Sequence, residues 1–75
     1  MWKFSTVTGK ALIAALKDAG FLAQRVKGSH HFLRYPDGRT TVVQVHSGES
    51  LGSGLLAKIL RDVDLSRSEL EELLA

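Results

Sequence analysis

The sequence predicts an α+β fold: a helix, a three-stranded antiparallel sheet, a second helix and a short C-terminal helix. Three observations carry that expectation. Apolar residues recur at three- and four-residue spacing from Leu12 to Ala19 and again from Leu56 to Val63, the pattern of a helix with one buried face. Between these segments, Gly28-Ser29 and Pro36-Asp37-Gly38 are turn signals that divide residues 21–46 into three short runs. Ser66, followed three residues later by Glu69, then opens one more helix as a capping box.

Each element has its own local reason. Thr8 is placed to cap the first helix, with Val7 before it and Leu12 at the fourth helical position forming a hydrophobic staple. Leu12, Ile13 and Leu16 supply the buried stripe, Ala15 and Ala19 fill its flank, and Gly20 offers a left-handed stop. The helix is expected from about Gly9 to Ala19. Gly28-Ser29 fits a two-residue hairpin with glycine first, and Pro36-Asp37-Gly38 a type I turn closed by glycine, so the strands run over about 21–27, 30–35 and 39–46 as a meander. After the loop Ser47-Gly48-Glu49-Ser50-Leu51-Gly52, Ser53 is expected to cap a helix carrying Leu56, Ile59, Leu60 and Val63, which Asp64 ends. Leu70, Leu73 and Leu74 follow Ser66 on the last helix.

The turn lengths set which side chains share a face. One face of the sheet collects Leu22, Val26, His31, Leu33, Tyr35, Val43 and Val45 and is expected under the helices. The other collects Arg25, Lys27, His30, Phe32, Arg34, Val42, Gln44 and His46, a solvated and basic surface suited to a polyanion. A one-residue error in either turn would exchange the sets on one strand.

A chain of 75 residues is expected to form a single domain (residues 1–75), and at this size only about 60% of the unfolded surface is buried. Its formal net charge of +2 is modest, but Lys10, Lys17, Arg25, Lys27, Arg34 and Arg39 lie in the first half while Glu69, Glu71 and Glu72 crowd the end. A basic sheet and an acidic tail are expected. The absence of cysteine excludes disulfide staples and thiolate metal sites. Neither a signal-peptide-like apolar run at Met1-Trp2-Lys3-Phe4 nor a stretch of roughly 18 apolar residues is present, so a cytoplasmic protein without a membrane partner is expected.

The residues that carry chemistry are the three histidines. His30 lies on the basic face beside the Gly28-Ser29 turn, where it is either a partly exposed strand histidine or a proton-transfer group near neutral pH. His31 points the other way, toward Val26 and Leu33, as a half-buried histidine, and it inherits the site role if the turn has another register. His46 falls on the His30 face, as a second proton carrier, a phosphate ligand or a strand-end histidine. Consecutive histidines project to opposite faces and His30 with His46 supplies only two ligands, so no metal and no cofactor are expected. Ser29 has no partner constellation that would make it a hydrolase nucleophile. Trp2 and Phe4 are read as packing residues.

Thr8-Gly9-Lys10, Ala19-Gly20-Phe21, Lys27-Gly28-Ser29-His30-His31, Tyr35-Pro36-Asp37-Gly38, Val45-His46-Ser47-Gly48, Gly54 with Leu56, and Lys58-Ile59-Leu60-Arg61 follow one another in an order and spacing that resemble the HicA-type toxin family. That family is built on the plan of the double-stranded-RNA-binding domain. The resemblance covers nearly the whole chain and implies the toxin of a toxin-antitoxin pair, an endoribonuclease that cleaves messenger RNA with a histidine and is silenced by a HicB-type antitoxin. The family's catalytic histidine follows the glycine-serine pair, which maps onto His30. Leu55 departs from the pattern where threonine is common, and Asp64 where glycine often ends the second helix. The basic cluster that conventional double-stranded-RNA-binding domains carry at the start of their last helix is absent, so duplex binding by that route is not expected.

Under that resemblance, His30 acts as general acid or base on RNA without metal, and Arg25, Lys27 and Arg34 neutralise the phosphate. The Gly28 and Ser29 amides and His46 are supporting groups. The alternative is a non-catalytic RNA-binding or protein-interaction module, in which the same basic face grips phosphate and the histidines only make hydrogen bonds.

Overall fold

A computed structural model describes residues 7–74, so Trp2 and Phe4 lie outside the described residues. Helix α1 spans Gly9–Asp18, followed by strands β1 (Leu22–Lys27), β2 (His30–Arg34) and β3 (Thr40–Gln44), helix α2 (Ser53–Val63) and helix α3 (Arg67–Leu74). The strands form one antiparallel sheet in the order β1-β2-β3, the expected meander.

The local signals account for most boundaries. The Thr8 hydroxyl accepts from the Ala11 amide at 3.1 Å, and Val7 and Leu12 are both buried in one core. At the other end of α1 the Phe21 amide donates to the Leu16 carbonyl and the Gly20 amide to the Lys17 carbonyl, a pair of bonds that requires the left-handed φ of +109° at Gly20. Gly28 has φ +60°, as a hairpin turn with glycine first demands, and Gly38 takes φ +102° while its amide donates to Tyr35. At α3 the expected reciprocal box is formed: the Ser66 amide donates to the Glu69 carboxylate at 2.9 Å and the Glu69 amide to the Ser66 hydroxyl at 3.1 Å. The Ser66 amide, and secondarily its hydroxyl, hold the Glu69 carboxyl below its ordinary pKa.

Two caps differ from expectation. Gly52, not Ser53, stands at the N-cap of α2, and no side chain caps it, because Ser53 is already the first helical residue. Asp64 ends α2 as expected, but in the left-handed conformation at φ 57° and ψ 44°, the position where glycine carries no steric penalty. The Leu65 amide then closes on the Leu60 carbonyl at 3.0 Å.

The core lies between the helices and one face of the sheet. Leu12, Leu16, Leu33, Val43, Leu56, Ile59, Val63 and Leu70 are its fully buried members, each worth about 1.5–3 kcal/mol against exposure. Leu33 and Val43 confirm the face assigned to β2 and β3, and His31 and Tyr35 are half-buried on the same side. The assignment for β1 is corrected in two places. A register shift between Ala23 and Arg25 inserts a bulge, so Leu22 pairs with Arg34 and turns outward, 60% exposed. Val26 keeps the predicted side, opposite His31, yet it is 58% exposed because α1 and α2 pack chiefly against β3.

Two close contacts tie the elements together. Gly9 is buried against the end of β3 so tightly that a Cβ there would collide with the Gln44 carbonyl oxygen. Arg39 clamps the β2–β3 turn to the helices: its guanidinium pairs with Asp37 at 2.8 Å, donates to the Val63 carbonyl and lies 4.4 Å from the Tyr35 ring centroid. Arg39 is therefore committed to structure, although the sequence placed it among the basic residues of the first half.

Candidate functional site

Because directly paired residues on antiparallel strands share a face, the register builds the outward surface of the sheet row by row. Lys27, His30 and Gln44 form the first row, Arg25, Phe32 and Val42 the second, and Leu22, Arg34 and Thr40 the third. Successive rows are about 7 Å apart, two residues of strand rise. The structure thus brings together four of the residues singled out in the sequence: His30, Lys27, Arg25 and Arg34, all exposed. Among the described residues, Arg25, Lys27 and Arg34 form no ion pair, so their charge is available to a ligand.

His30 opens β2 directly after the turn, and the turn is fixed from both sides. Lys27 pairs with His30 across it, and the Val45 amide donates to the Ser29 carbonyl at 2.8 Å. The Ser29 carbonyl is therefore committed. Gly28 is open on its side-chain face, with nothing within 4 Å of where a Cβ would stand, so a ligand can reach the backbone there.

The neighbour of the His30 ring is Gln44, whose amide Nε2 lies 2.8 Å from the imidazole Nε2. The Gln44 amide and the imidazole are thus hydrogen-bonded across the β2–β3 pair, which holds the ring beside the turn. Both residues were placed on one face by the sequence, but the pairing itself was missed. It was available, since a two-residue turn pairs Lys27 with His30 and a hairpin closed at Tyr35 and Arg39 pairs His30 with Gln44.

His46 stands elsewhere. β3 ends at Gln44, two residues before the predicted end, and His46 lies in the following loop, whose turn is closed by the Glu49 amide donating to its carbonyl at 3.0 Å. It is exposed and lines a hollow with Thr8, Lys10, Val45, Ser47 and Gly48. The expected end of the third strand is thereby corrected from His46 to Gln44. His31, on the covered face between Val26 and Val43, is also separate from the basic rows.

The second row adds an aromatic that the sequence reading placed but did not use. The Arg25 guanidinium lies over the Phe32 ring, 4.7 Å from its centroid. A hollow at this level is lined from the sheet by residues that include Arg25, Phe32, Arg34, Thr41 and Val42, and from α2 by Lys58 and Asp62. No group of three or more histidine, cysteine or acidic side chains is arranged to hold a metal ion among the described residues. No helix among them is long and apolar enough to cross a membrane.

Compared with known protein families, the chain matches one, described as HicA toxin of bacterial toxin-antitoxin, over residues 9–65. No curated protein matches it. The matched region runs from the first residue of α1 to the residue after the left-handed end of α2, and it contains all three outward rows.

Proposed function

Because the chain belongs to the HicA toxin family, we propose that it is an endoribonuclease toxin that cuts messenger RNA on the outward face of its sheet, with His30 as the proton-transfer group. The observation that carries this reading is the exposed His30 imidazole at the head of a face whose cations have no carboxylate partners among the described residues.

The chemistry needs a base and a place for negative charge. His30 takes the proton from a ribose 2′-hydroxyl, which displaces the Gln44 amide from Nε2 as it arrives. The 2′-oxygen attacks the adjacent phosphorus, the bond to the 5′-oxygen breaks, and the departing oxygen takes a proton from water. A 2′,3′-cyclic phosphate and a 5′-hydroxyl remain. Lys27, beside His30, balances the charge that grows on the phosphate, with the open Gly28 backbone allowing close approach, and Arg34, two rows along, holds the RNA backbone farther along the strand. Metal is not required by this scheme.

A toxin of this kind is held inactive by an antitoxin, and a HicB-type protein that covers His30 with acidic or polar groups engaging Arg25, Lys27 and Arg34 would block proton transfer and phosphate binding together. Such pairing speeds association and weakens with salt. Growth after induction of the wild type and of His30→Ala, with and without the protein encoded next to it, tests the reading. Growth arrest by the wild type alone, relieved by the neighbour and absent in His30→Ala, is the expected result. Arrest by His30→Ala equal to that of the wild type would overturn the assignment of His30.

A further inference from the structure

We propose that Phe32 and Arg25 together form a nucleobase platform, on which one unpaired base of the RNA stacks beside the phosphate being cut. This rests on the ribonuclease reading, and it names the form of RNA the site accepts: single-stranded, with one base turned out onto the sheet.

The first support is where Phe32 stands. It lies on the face opposite the core, in a row with Arg25 and Val42, and Val42 is 38% exposed. An aromatic ring on a solvated face gains nothing from the core, whereas on an RNA-binding sheet it supplies a flat apolar surface for a base. The second is Arg25. Its guanidinium lies over the Phe32 ring, 4.7 Å from the centroid, so the ring and the cation form a stack that an unpaired base can extend. The third is order along the sheet. The platform occupies the middle row, with Lys27 and His30 in the row on one side and Arg34 in the row on the other.

A strand that runs from Lys27 and His30 toward Arg34 crosses the row between them, where a base meets Phe32 and Arg25. The hollow that Arg25, Phe32 and Val42 share with Lys58 and Asp62 of α2 gives that base room. Stacking of this kind is tolerant of sequence, because every base has a π-face. It is closed to duplex RNA, whose bases are already stacked and paired. The platform thus selects single strands over duplexes.

Binding, rather than cleavage, is the test. In full-length His30→Ala protein, affinity for a short single-stranded RNA carrying 2-aminopurine is measured by anisotropy across a range of salt, with the fluorescence of the probe reporting stacking. Phe32→Leu keeps apolar bulk and loses the aromatic face. It is expected to weaken binding roughly 5- to 150-fold, the loss of one stacked base, and to abolish the quenching. Its salt dependence stays unchanged, since no phosphate contact is lost. Arg25→Lys keeps the charge without the plane and is expected to weaken quenching in the same way, and it serves as the second variant should Phe32→Leu fail to fold. Arg34→Gln gives the opposite signature: quenching retained, with the salt slope reduced by about 0.7. Phe32→Leu and Arg25→Lys proteins that bind and quench like their parent would overturn the platform while leaving His30 untouched. A parent that binds no RNA at all would overturn the platform and the ribonuclease reading together.

Discussion

Two glycines, each in the first turn of a helix, should respond to alanine with opposite signs. Gly9 begins α1 and Gly54 is the second residue of α2, and neither takes a left-handed φ, so alanine is conformationally permitted at both. At Gly54 a Cβ would meet nothing within 4 Å, and the only effect is loss of chain freedom in the unfolded state, a gain of about 0.4–1 kcal/mol. At Gly9 the new methyl would collide with the Gln44 carbonyl oxygen and press on the Gln44 carbonyl carbon and Val45 Cα, both 3.3 Å away. These are backbone atoms and cannot rotate aside. The start of α1 must lift from β3, at an overpacking cost of about 1–3 kcal/mol, against which helix propensity returns up to about 1 kcal/mol. A net loss of about 1–2 kcal/mol is expected. In a domain of this size it lowers Tm by roughly 4–16 °C, while Gly54→Ala raises it by roughly 2–8 °C. Thermal unfolding followed by far-ultraviolet circular dichroism reads both. A Gly9→Ala protein at least as stable as the wild type would refute the close approach of α1 to β3.

Asp64→Gly relieves an L-residue held in the left-handed region and should stabilise the protein by about 1 kcal/mol, a rise in Tm of roughly 4–8 °C in the same assay. Glu69, whose folded pKa lies below its ordinary 4.5, contributes stability that is complete above that value and lost as pH falls through the lowered one. Glu69→Gln should therefore flatten this part of the acid limb in urea melts between neutral and acid pH. Cleavage should persist in excess chelator and leave 2′,3′-cyclic phosphate ends. A chelator-sensitive rate with 3′-hydroxyl products would indicate metal-assisted hydrolysis instead.

What the sequence made legible was what short segments decide by themselves. Thr8, Gly20, Gly28-Ser29, Pro36-Asp37-Gly38 and the Ser66/Glu69 pair each act within a few residues, and each does in the structure what its chemistry implies. The basic face was legible too, because two short turns fix the register from Lys27 to Gln44. The departures arise where distant parts of the chain decide. No glycine or proline marks the bulge that turns Leu22 outward. Val26 is exposed because the helices sit over β3, a fact of packing that its own strand does not encode. The binding of Arg39 to Val63 and the approach of Gly9 to Gln44 join residues far apart in sequence, so neither has a local signal. The third strand ends at Gln44, short of His46, where the chain enters a loop that no periodic pattern distinguishes from strand.

Whether His30 or its neighbour transfers the proton is read from the rate at which purified wild type, His30→Ala and His31→Ala cleave single-stranded RNA, each variant first shown to be folded by circular dichroism. His30 lies in the open among unpaired cations, so His30→Ala should lower the rate by about two to four orders of magnitude with little change in Tm. His31 faces Val43 on the covered side, so His31→Ala should lower Tm and leave the rate of the folded protein near that of the wild type. A folded His30→Ala protein that cleaves at close to the wild-type rate, with the loss appearing in folded His31→Ala instead, would transfer the proton-transfer role to His31.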